Sequence, residues 1–277
     1  MSRLKTIFIT GVSSGFGRAL AQVALASGYR VIGTVRNAAA KTTFEALHAE
    51  NAFACELDIT HFSAIDAVIA DVESRIGPID VLVNNAGYGH EGVMEESSLD
   101  ELRRQFDVNV FGAVAMIKAV LPFMRQRRRG HIINITSMGG FITLPGISYY
   151  CGSKFALEGI SETLSQELAP FNIAVTAVAP GSFRTDWAGR SMVRSARSIP
   201  DYDALFDPIR QAREEKSGKQ LGDPVKAAQA MLALMENPNP PAHLLLGSDA
   251  LSLVRQKLTA LNQQIDAWEG VSRSTDG

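Results

Sequence analysis

Cysteine is scarce in this chain. Only Cys55 and Cys151 occur among 277 residues, too few for a disulfide framework and the usage expected of a reducing, cytoplasmic compartment. The five histidines are scattered, with no HExxH or CxxC spacing, so no metal site is expected. No stretch approaches about 18 uncharged apolar residues, and no membrane span is expected. The opening MSRLKTIFIT superficially resembles a secretory leader, but its apolar run ends at once in a glycine-rich turn. A net charge of −2 implies no broad basic surface, so nucleic acid is not an expected partner. Internal repeats and low-complexity linkers are also missing.

With 46% hydrophobic and 20% charged residues, the length suits one undivided domain over residues 1–277, because α/β folds often exceed about 200 residues as a unit. Apolar, β-rich runs fall at Lys5–Thr10, Arg30–Val35, Ala52–Leu57, Ile79–Val83, His131–Thr136, Ile173–Ala179 and His243–Leu246. Helical patterns alternate with them, at Arg18–Ser27, Ser98–Gln126, from Tyr150 to Glu167, and from Asp223 to about Met235. Alternation of this kind predicts an α/β, doubly wound fold with a mostly parallel sheet flanked by helices. Ser98 and Glu101 have capping-box spacing. Val108–Met124 is apolar nearly all round apart from Asn109 and Lys118, so that helix is expected to bury one side on the sheet and another on a partner subunit. Arg125 and Arg127 to Arg129 read as its solvated C-terminus, where cations favour the helix dipole.

The glycines of Gly11-Val-Ser-Ser-Gly15-Phe-Gly17 stand between a strand and a helix. Such a turn lets a backbone approach a pyrophosphate, and the helix N-terminus supplies amide donors. A tight strand-to-helix turn also needs glycines without any ligand. Arg36 follows the second strand where an acid would bind a ribose 2′-hydroxyl, which predicts NADP(H) over NAD(H) unless it is a plain surface arginine. Asp58 and Ile59 end the third strand. Asp58 could face the adenine amine or equally cap the helix near His61. Asn84 to Gly87 closes the fourth strand, either at a ligand crevice or as a structural turn. Asn109 is a buried amide in need of a partner.

The chain turns on Ser137 to Lys154. Tyr150 and Lys154 are four residues apart, so on a helix they share one face. Ser137 stands at the end of the preceding strand. A hydroxyl, a phenol and an ammonium at one place suit proton transfer to or from an oxygen. The cation is expected to lower the phenol pKa from about 10, as work near neutral pH requires. A lone YxxxK spacing also arises by chance.

Taken together, these motifs resemble the short-chain dehydrogenase/reductase family over roughly residues 5–250. The glycine turn matches as Thr10-Gly11-xxx-Gly15-x-Gly17, the NNAG motif as Asn84 to Gly87, the catalytic set as Asn109, Ser137, Tyr150 and Lys154, and the PG-xxx-T segment as Pro180, Gly181 and Thr185. Only Tyr150, not Tyr149, has a lysine four residues on. The resemblance implies a seven-stranded Rossmann fold and NAD(P)-dependent hydride transfer at an alcohol or carbonyl. It implies a cofactor set of Gly11, Ser13, Ser14, Gly15, Phe16, Gly17, Arg36, Asp58, Ile59, Asn85, Ala86, Gly87, Tyr150, Lys154, Pro180, Gly181 and Thr185. Ser14 stands where some NADP-preferring members carry a basic residue. The alternative to an enzyme is a catalytically silent, NADP(H)-binding regulator of the same fold; a sugar-nucleotide epimerase is disfavoured by the short chain after Pro180.

Residues 186–222 mix polar and apolar side chains and are expected to form a mobile substrate lid or a plain surface excursion. Met138, Phe141, Tyr149, Phe183 and Trp187 flank the site and predict a hydrophobic substrate, unless they pack the core. Asp249–Trp268 reads as a C-terminal amphipathic helix that covers a surface other members use for tetramers, so a homodimer through the helices at Ser98–Gln126 and Tyr150–Glu167 is expected, with a tetramer possible.

Overall fold

A computed structural model describes residues 4–185, 187 and 189–277. Met1, Ser2, Arg3, Asp186 and Ala188 lie outside it, including the first residue of the expected lid. The main sheet is built from β1 (Thr6–Ile9), β2 (Arg30–Val35), β3 (Ala52–Glu56), β4 (Val81–Asn84), β6 (Gly130–Ile135), β7 (Ile173–Pro180) and β9 (His243–Leu246). Its order is β3-β2-β1-β4-β6-β7-β9, and every pairing is parallel. This is the expected seven-stranded, doubly wound α/β fold. The interiors of β1, β2, β4, β6 and β7 are almost fully buried, as a sheet covered on both faces requires, while the edge strands β3 and β9 are only partly so.

One face carries α1 (Gly15–Ala26), α2 (Ala38–Glu45) and α8 (Pro224–Glu236), whose Leu20, Ala24, Phe44, Ala228 and Met231 pack on Ile7, Val31 and Ile133. The other carries α3 (Phe62–Arg75) and α5 (Ala113–Arg127), whose Ile65, Ile69, Met116 and Val120 meet Phe8, Leu82 and Ile132. Strand order reverses between β1 and β4. The crevice at their carboxyl ends is where such sheets hold ligands.

The helix from Leu99 to Arg127 is not regular. α4 (Leu99–Phe106), capped by the reciprocal Ser98–Glu101 pair, passes through a π-helical turn at Asp107–Gly112 before α5 begins. By length and composition this helix could cross a bilayer, although Lys118 interrupts its uncharged run. Its Met116, Ile117, Val120 and Met124 are instead buried beneath the sheet. The arginines at its end are not simply solvated. Arg127 makes a forked pair with the buried Glu73 at 2.9 and 3.0 Å, Arg129 pairs with buried Asp80 at 3.1 Å, and Arg128 lies over the Phe171 ring.

Two short strands that alternation did not reveal, β5 (Gly89–Glu91) and β8 (Met192–Arg194), form a second parallel sheet beside α6 (Ser148–Leu168). After β8 comes α7 (Asp203–Glu215). The last helix, α9, runs Ser248–Arg273, longer than expected. It covers little of the body: Ala250 and Val254 are buried, and from Arg255 onward every residue is exposed.

Candidate active site

The glycine turn after β1 is locked on several sides. The Gly11 amide donates to Thr34 Oγ1 at 2.9 Å. Asn85 Nδ2 donates to the Thr10 and Gly11 carbonyls, both at 2.9 Å, while Thr10 Oγ1 accepts the Asn85 and Ala86 amides at 3.0 Å. Gly11 adopts φ +73°, a left-handed conformation that favours glycine. A Cβ on Gly17 would lie 2.2 Å from the Gly11 carbonyl oxygen and 2.4 Å from Asn85 Nδ2. Gly17→Ala is therefore expected to push α1 off the turn and cost about 1–3 kcal/mol. Melting temperature and calorimetric titration with NADPH both report it, and a variant normal in both would deny the contact.

At the start of α1, Ser14 has extended backbone and no side-chain cap, and the first turn holds no acid. Its amides and the positive end of the dipole are free for an anion. Glycines that admit a backbone closely, next to an uncapped helix N-terminus, fit the pyrophosphate of a dinucleotide. Arg36 follows β2 at the edge of the same cleft. Asp58 does not cap α3, whose N-cap is His61; its Oδ1 accepts the Thr60 amide and hydroxyl at 2.9 and 2.8 Å in a local turn. Burial raises the Asp58 pKa, but the Thr60 bonds, with His61 and Arg36, outweigh it and hold the carboxyl below its usual range.

Beside this turn, the end of β6 and the start of α6 meet. A Cβ on Gly139 would stand 3.3 Å from Tyr150 Cε1 and 3.4 Å from Ser137 Oγ, so Ser137 and the phenol ring close on one small volume. Ser137 Oγ also accepts the Gly139 amide at 3.0 Å. Lys154 Nζ donates to the Ile135 carbonyl at 2.8 Å and stands 5.8 Å from the centre of the Tyr150 ring. The two residues sit on one face of α6, as their spacing requires. Asn109 joins from the π-helical turn. Its Nδ2 donates to the Tyr88 carbonyl and Ser153 Oγ, both at 3.1 Å, and its Oδ1 accepts the Tyr88 amide. A Cβ on Gly87 would come within 3.1 Å of Asn109 Oδ1 and 3.8 Å of Lys154 Nζ, so both side chains close on that glycine.

The electrostatics differ from expectation in one respect. Burial pushes the Tyr150 pKa up, well above that of an exposed phenol, and the neighbouring Ser137 hydroxyl only partly opposes it. The Lys154 charge is over the ring and tied to Ile135, not aimed at the hydroxyl, so it does not produce the expected depression. Burial also lowers Lys154 to about 8, against the opposing pull of Glu158. Glu158, one turn further along α6, is buried and bonded to His243 Nδ1 at 2.9 Å. At neutral pH the site therefore presents a protonated phenol, the form that donates a proton.

The cleft has a volume of about 1560 Å³. Its walls include Gly11, Ser13, Ser14, Gly15, Phe16, Arg36, Asp58, Ile59, Asn85, Ala86, Gly87, Pro180, Gly181 and Thr185 on one side and Ser137, Tyr150 and Lys154 at the centre. Gly17 and Asn109 lie behind these walls. Of the five residues expected against a substrate, Met138 and Trp187 line the cleft, with the Trp187 and Tyr150 ring centres 5.0 Å apart. Phe183 lines it too, but packs edge-on against Phe16 at 5.1 Å, on the glycine-turn side. Tyr149 and Phe141 are elsewhere. Tyr149 turns away from the cleft, donating to the Ser97 carbonyl at 2.9 Å and stacking on His90. Phe141 packs on His243.

Tyr88, Leu144, Ile147, Val193 and Ile209, which sequence reasoning missed, also line the cleft. Three of them, Tyr88, Val193 and Ile209, come from the loop before β5, from β8 and from α7, where the pattern is weakest. The segment bearing β8 and α7 is strapped rather than loose. Glu91, fully buried, pairs with Arg194 and Arg210 at 3.1 Å and with Arg213. The Glu96 carboxylate accepts from Arg197 at 2.8 Å and from the Ser198 and Ile199 amides.

A family model described as short chain dehydrogenase matches residues 5–194. Among curated relatives, the chain is 36% identical over 269 residues to oxidoreductase BOA17 of Botryotinia fuckeliana, covering 97% of this chain and 98% of that one. It is 37% identical to a 3-ketodihydrosphingosine reductase of Bacteroides thetaiotaomicron, covering 87% of each, and 35% identical to human retinol dehydrogenase 8, covering 86% and 79%. Among solved structures, a short-chain dehydrogenase from Streptomyces avermitilis aligns over the whole of both chains at 40% identity with a TM-score of 0.92. At 25% identity, ElxO with NADP bound aligns with a TM-score of 0.75 over 90% of this chain and 100% of that one. A Burkholderia phymatum short-chain dehydrogenase in complex with NAD, also 25% identical, aligns with a TM-score of 0.80 over 94% and 95%.

Proposed function

This chain belongs to the short-chain dehydrogenase family and is an NAD(P)-dependent oxidoreductase, and on that premise we propose that it interconverts an apolar alcohol and its ketone or aldehyde, with NADP(H) preferred and Tyr150 as general acid and base. The observation that carries this reading is the meeting of Ser137, Tyr150 and Lys154 in one cleft with the glycine turn. When bound, the nicotinamide supplies or accepts the hydride. In reduction, the neutral Tyr150 phenol gives its proton to the substrate oxygen. The Ser137 hydroxyl donates to the same oxygen and stabilises the charge that develops there. Lys154 keeps a cation beneath the phenol and, with Ile135, fixes its own reach toward the cofactor ribose. Asn109 anchors Tyr88 and the loop carrying Gly87. The reverse reaction runs the proton back onto Tyr150.

An apolar substrate is supported by the lining of Met138, Leu144, Ile147, Trp187, Val193 and Ile209. Val193 and Ile209, which line the cleft from β8 and α7, support reading residues 186–222 as a substrate lid, of which Asp186 and Ala188 lie outside the described residues. The relatives named for a ketosphingoid reductase and a retinol dehydrogenase act on substrates of that apolar kind. Exposed Phe111 and Phe155 on the outer faces of the π turn and α6 support a homodimer through these helices. Two unpaired cysteines suit a cytoplasmic setting. Absorbance of the reduced nicotinamide, followed over a panel of ketones, aldehydes and alcohols with both cofactors, tests the activity; no turnover with any apolar carbonyl or alcohol would refute it.

Arg36 supports the cofactor preference, because a cation there pairs with a 2′-phosphate. Arg36→Asp is expected to weaken NADPH by tenfold or more, about 1.4 kcal/mol, and to favour NADH. The ratio of kcat/KM for the two cofactors reads this directly, and an unchanged ratio would leave Arg36 an ordinary surface residue.

A further inference from the structure

The free part of α9 carries an apolar stripe that nothing in the protomer covers. Leu251, Val254, Leu258, Leu261, Ile265 and Trp268 follow one another at alternating steps of three and four residues, the seam spacing of a coiled coil. Val254 is buried against the body, but Leu251 is 41% exposed, Leu258 51%, Leu261 41%, Ile265 57% and Trp268 65%. At 1.5 Å per residue, the exposed stretch from Arg255 to Arg273 projects about 28 Å. A lone projecting helix of that length gains little from propensity alone, so its apolar seam calls for a partner.

We infer that α9 pairs antiparallel with α9 of a second copy of this chain. Charge along the helix selects the orientation. After Asp249 at its start, its first half bears Arg255 and Lys257, and its second half bears Asp266 and Glu269, the latter already paired with Arg273 at 2.7 Å. Arg255, Lys257 and Asp266 have no ion-pair partner among the described residues. Antiparallel pairing lays the basic half of each helix along the acidic half of the other, whereas parallel pairing lays like on like. Setting Leu258 opposite the partner's Leu261 brings Leu251 to the partner's Trp268, while Ile265 falls at the level of the partner's Val254, which that protomer's own body already buries, so the layers open to pairing are apolar. Arg255 then lies by the partner's Asp266. The half-exposed apolar side chains of both helices together offer an area on the order of 1,000 Å², the lower bound for a specific interface. The polar face balances its charges, which disfavours an anionic bilayer as the occupant.

The pairing is independent of the catalytic reading and of any other contact between protomers. Light scattering after size exclusion tests it with the full-length protein and the double variant Leu258→Lys/Leu261→Lys. These two side chains lie on the exposed part of α9 and belong to none of the core clusters, so melting temperature and NADPH affinity are expected to stay unchanged while the assembly mass falls to half. Orientation is read by disulfide trapping. A mixture of Leu258→Cys and Leu261→Cys proteins is expected to cross-link much faster than either alone, and self-linking of each variant would mean a parallel pair and overturn the arrangement. Equal masses for wild type and variant would overturn the pairing itself. Co-sedimentation of wild type with phosphatidylserine vesicles, lost in the variant without a change in mass, would do the same and assign the stripe to a membrane surface.

Discussion

Replacing Tyr150 by phenylalanine is expected to lower kcat by at least about 10²–10⁴, the usual worth of a positioned general acid, while leaving NADPH binding intact. The separation of the two effects follows from the geometry. The Tyr150 ring packs against Trp187 and beneath it lies the Lys154 cation, and phenylalanine keeps both contacts. Only the hydroxyl beside Ser137 is lost, and with it the proton the substrate oxygen must receive. Burial holds that hydroxyl protonated through the neutral range, so reduction by the wild type is expected to vary little with pH there. Steady-state kinetics beside fluorescence titration of NADPH distinguishes the cases. A variant that turns over at near-normal rate would remove Tyr150 from the chemistry. One that also fails to bind NADPH would show the hydroxyl to be structural.

The second large effect is expected far from the chemistry. Glu91→Leu leaves Arg194, Arg210 and Arg213 facing one another with their shared carboxylate gone. Removing one member of a buried ionic set typically costs about 3–5 kcal/mol, and the lower end is expected here because Arg194 keeps Glu214 at 3.4 Å and the three arginines are only partly buried. For a domain of this size that is a fall of roughly 10 °C in melting temperature. Two of these arginines lie on α7 and the third on β8. The damage is therefore expected first in the segment over the substrate, seen as faster amide exchange from Met192 to Glu215 and a raised KM. Unchanged melting and exchange would mean that the cluster contributes nothing to holding the segment down.

How legible each part was in the sequence follows from where its information resides. Strands such as Arg30–Val35 and His243–Leu246 are recovered to the residue, because parallel strands, buried like the first or half-buried at the edge like the second, are apolar runs bounded by turn residues. The site's centre was legible because helix periodicity fixes Tyr150 and Lys154 on one face, and because glycine turns betray their backbone geometry. Asn109 was visible as a misplaced polar residue in an apolar helix, but not the π turn that carries it, which no periodicity of 3.6 announces. Tyr149 shows the limit of proximity. It is adjacent to Tyr150, yet successive residues on a helix point about 100° apart, and it braces Ser97 and His90 instead. The substrate side was hidden for another reason. β5, β8 and α7 are held by the Glu91 and Glu96 ion pairs between segments about a hundred residues apart, and local patterning does not encode such contacts. The Tyr150 pKa likewise depends on three-dimensional burial. Sequence spacing indicated a nearby cation but not that the cation faces the ring.

The central claim is that this cleft passes a hydride between a nicotinamide and a carbon bearing oxygen, with Tyr150 moving the proton. NADPH carrying deuterium at C4 of the nicotinamide, on either face in turn, tests it most directly, with an apolar ketone from the panel as acceptor. Deuterium from one face alone is expected on the carbinol carbon of the alcohol, with the Tyr150→Phe variant forming little of that product. Alcohol free of deuterium from both faces, or oxidised cofactor with no alcohol formed, would contradict the account.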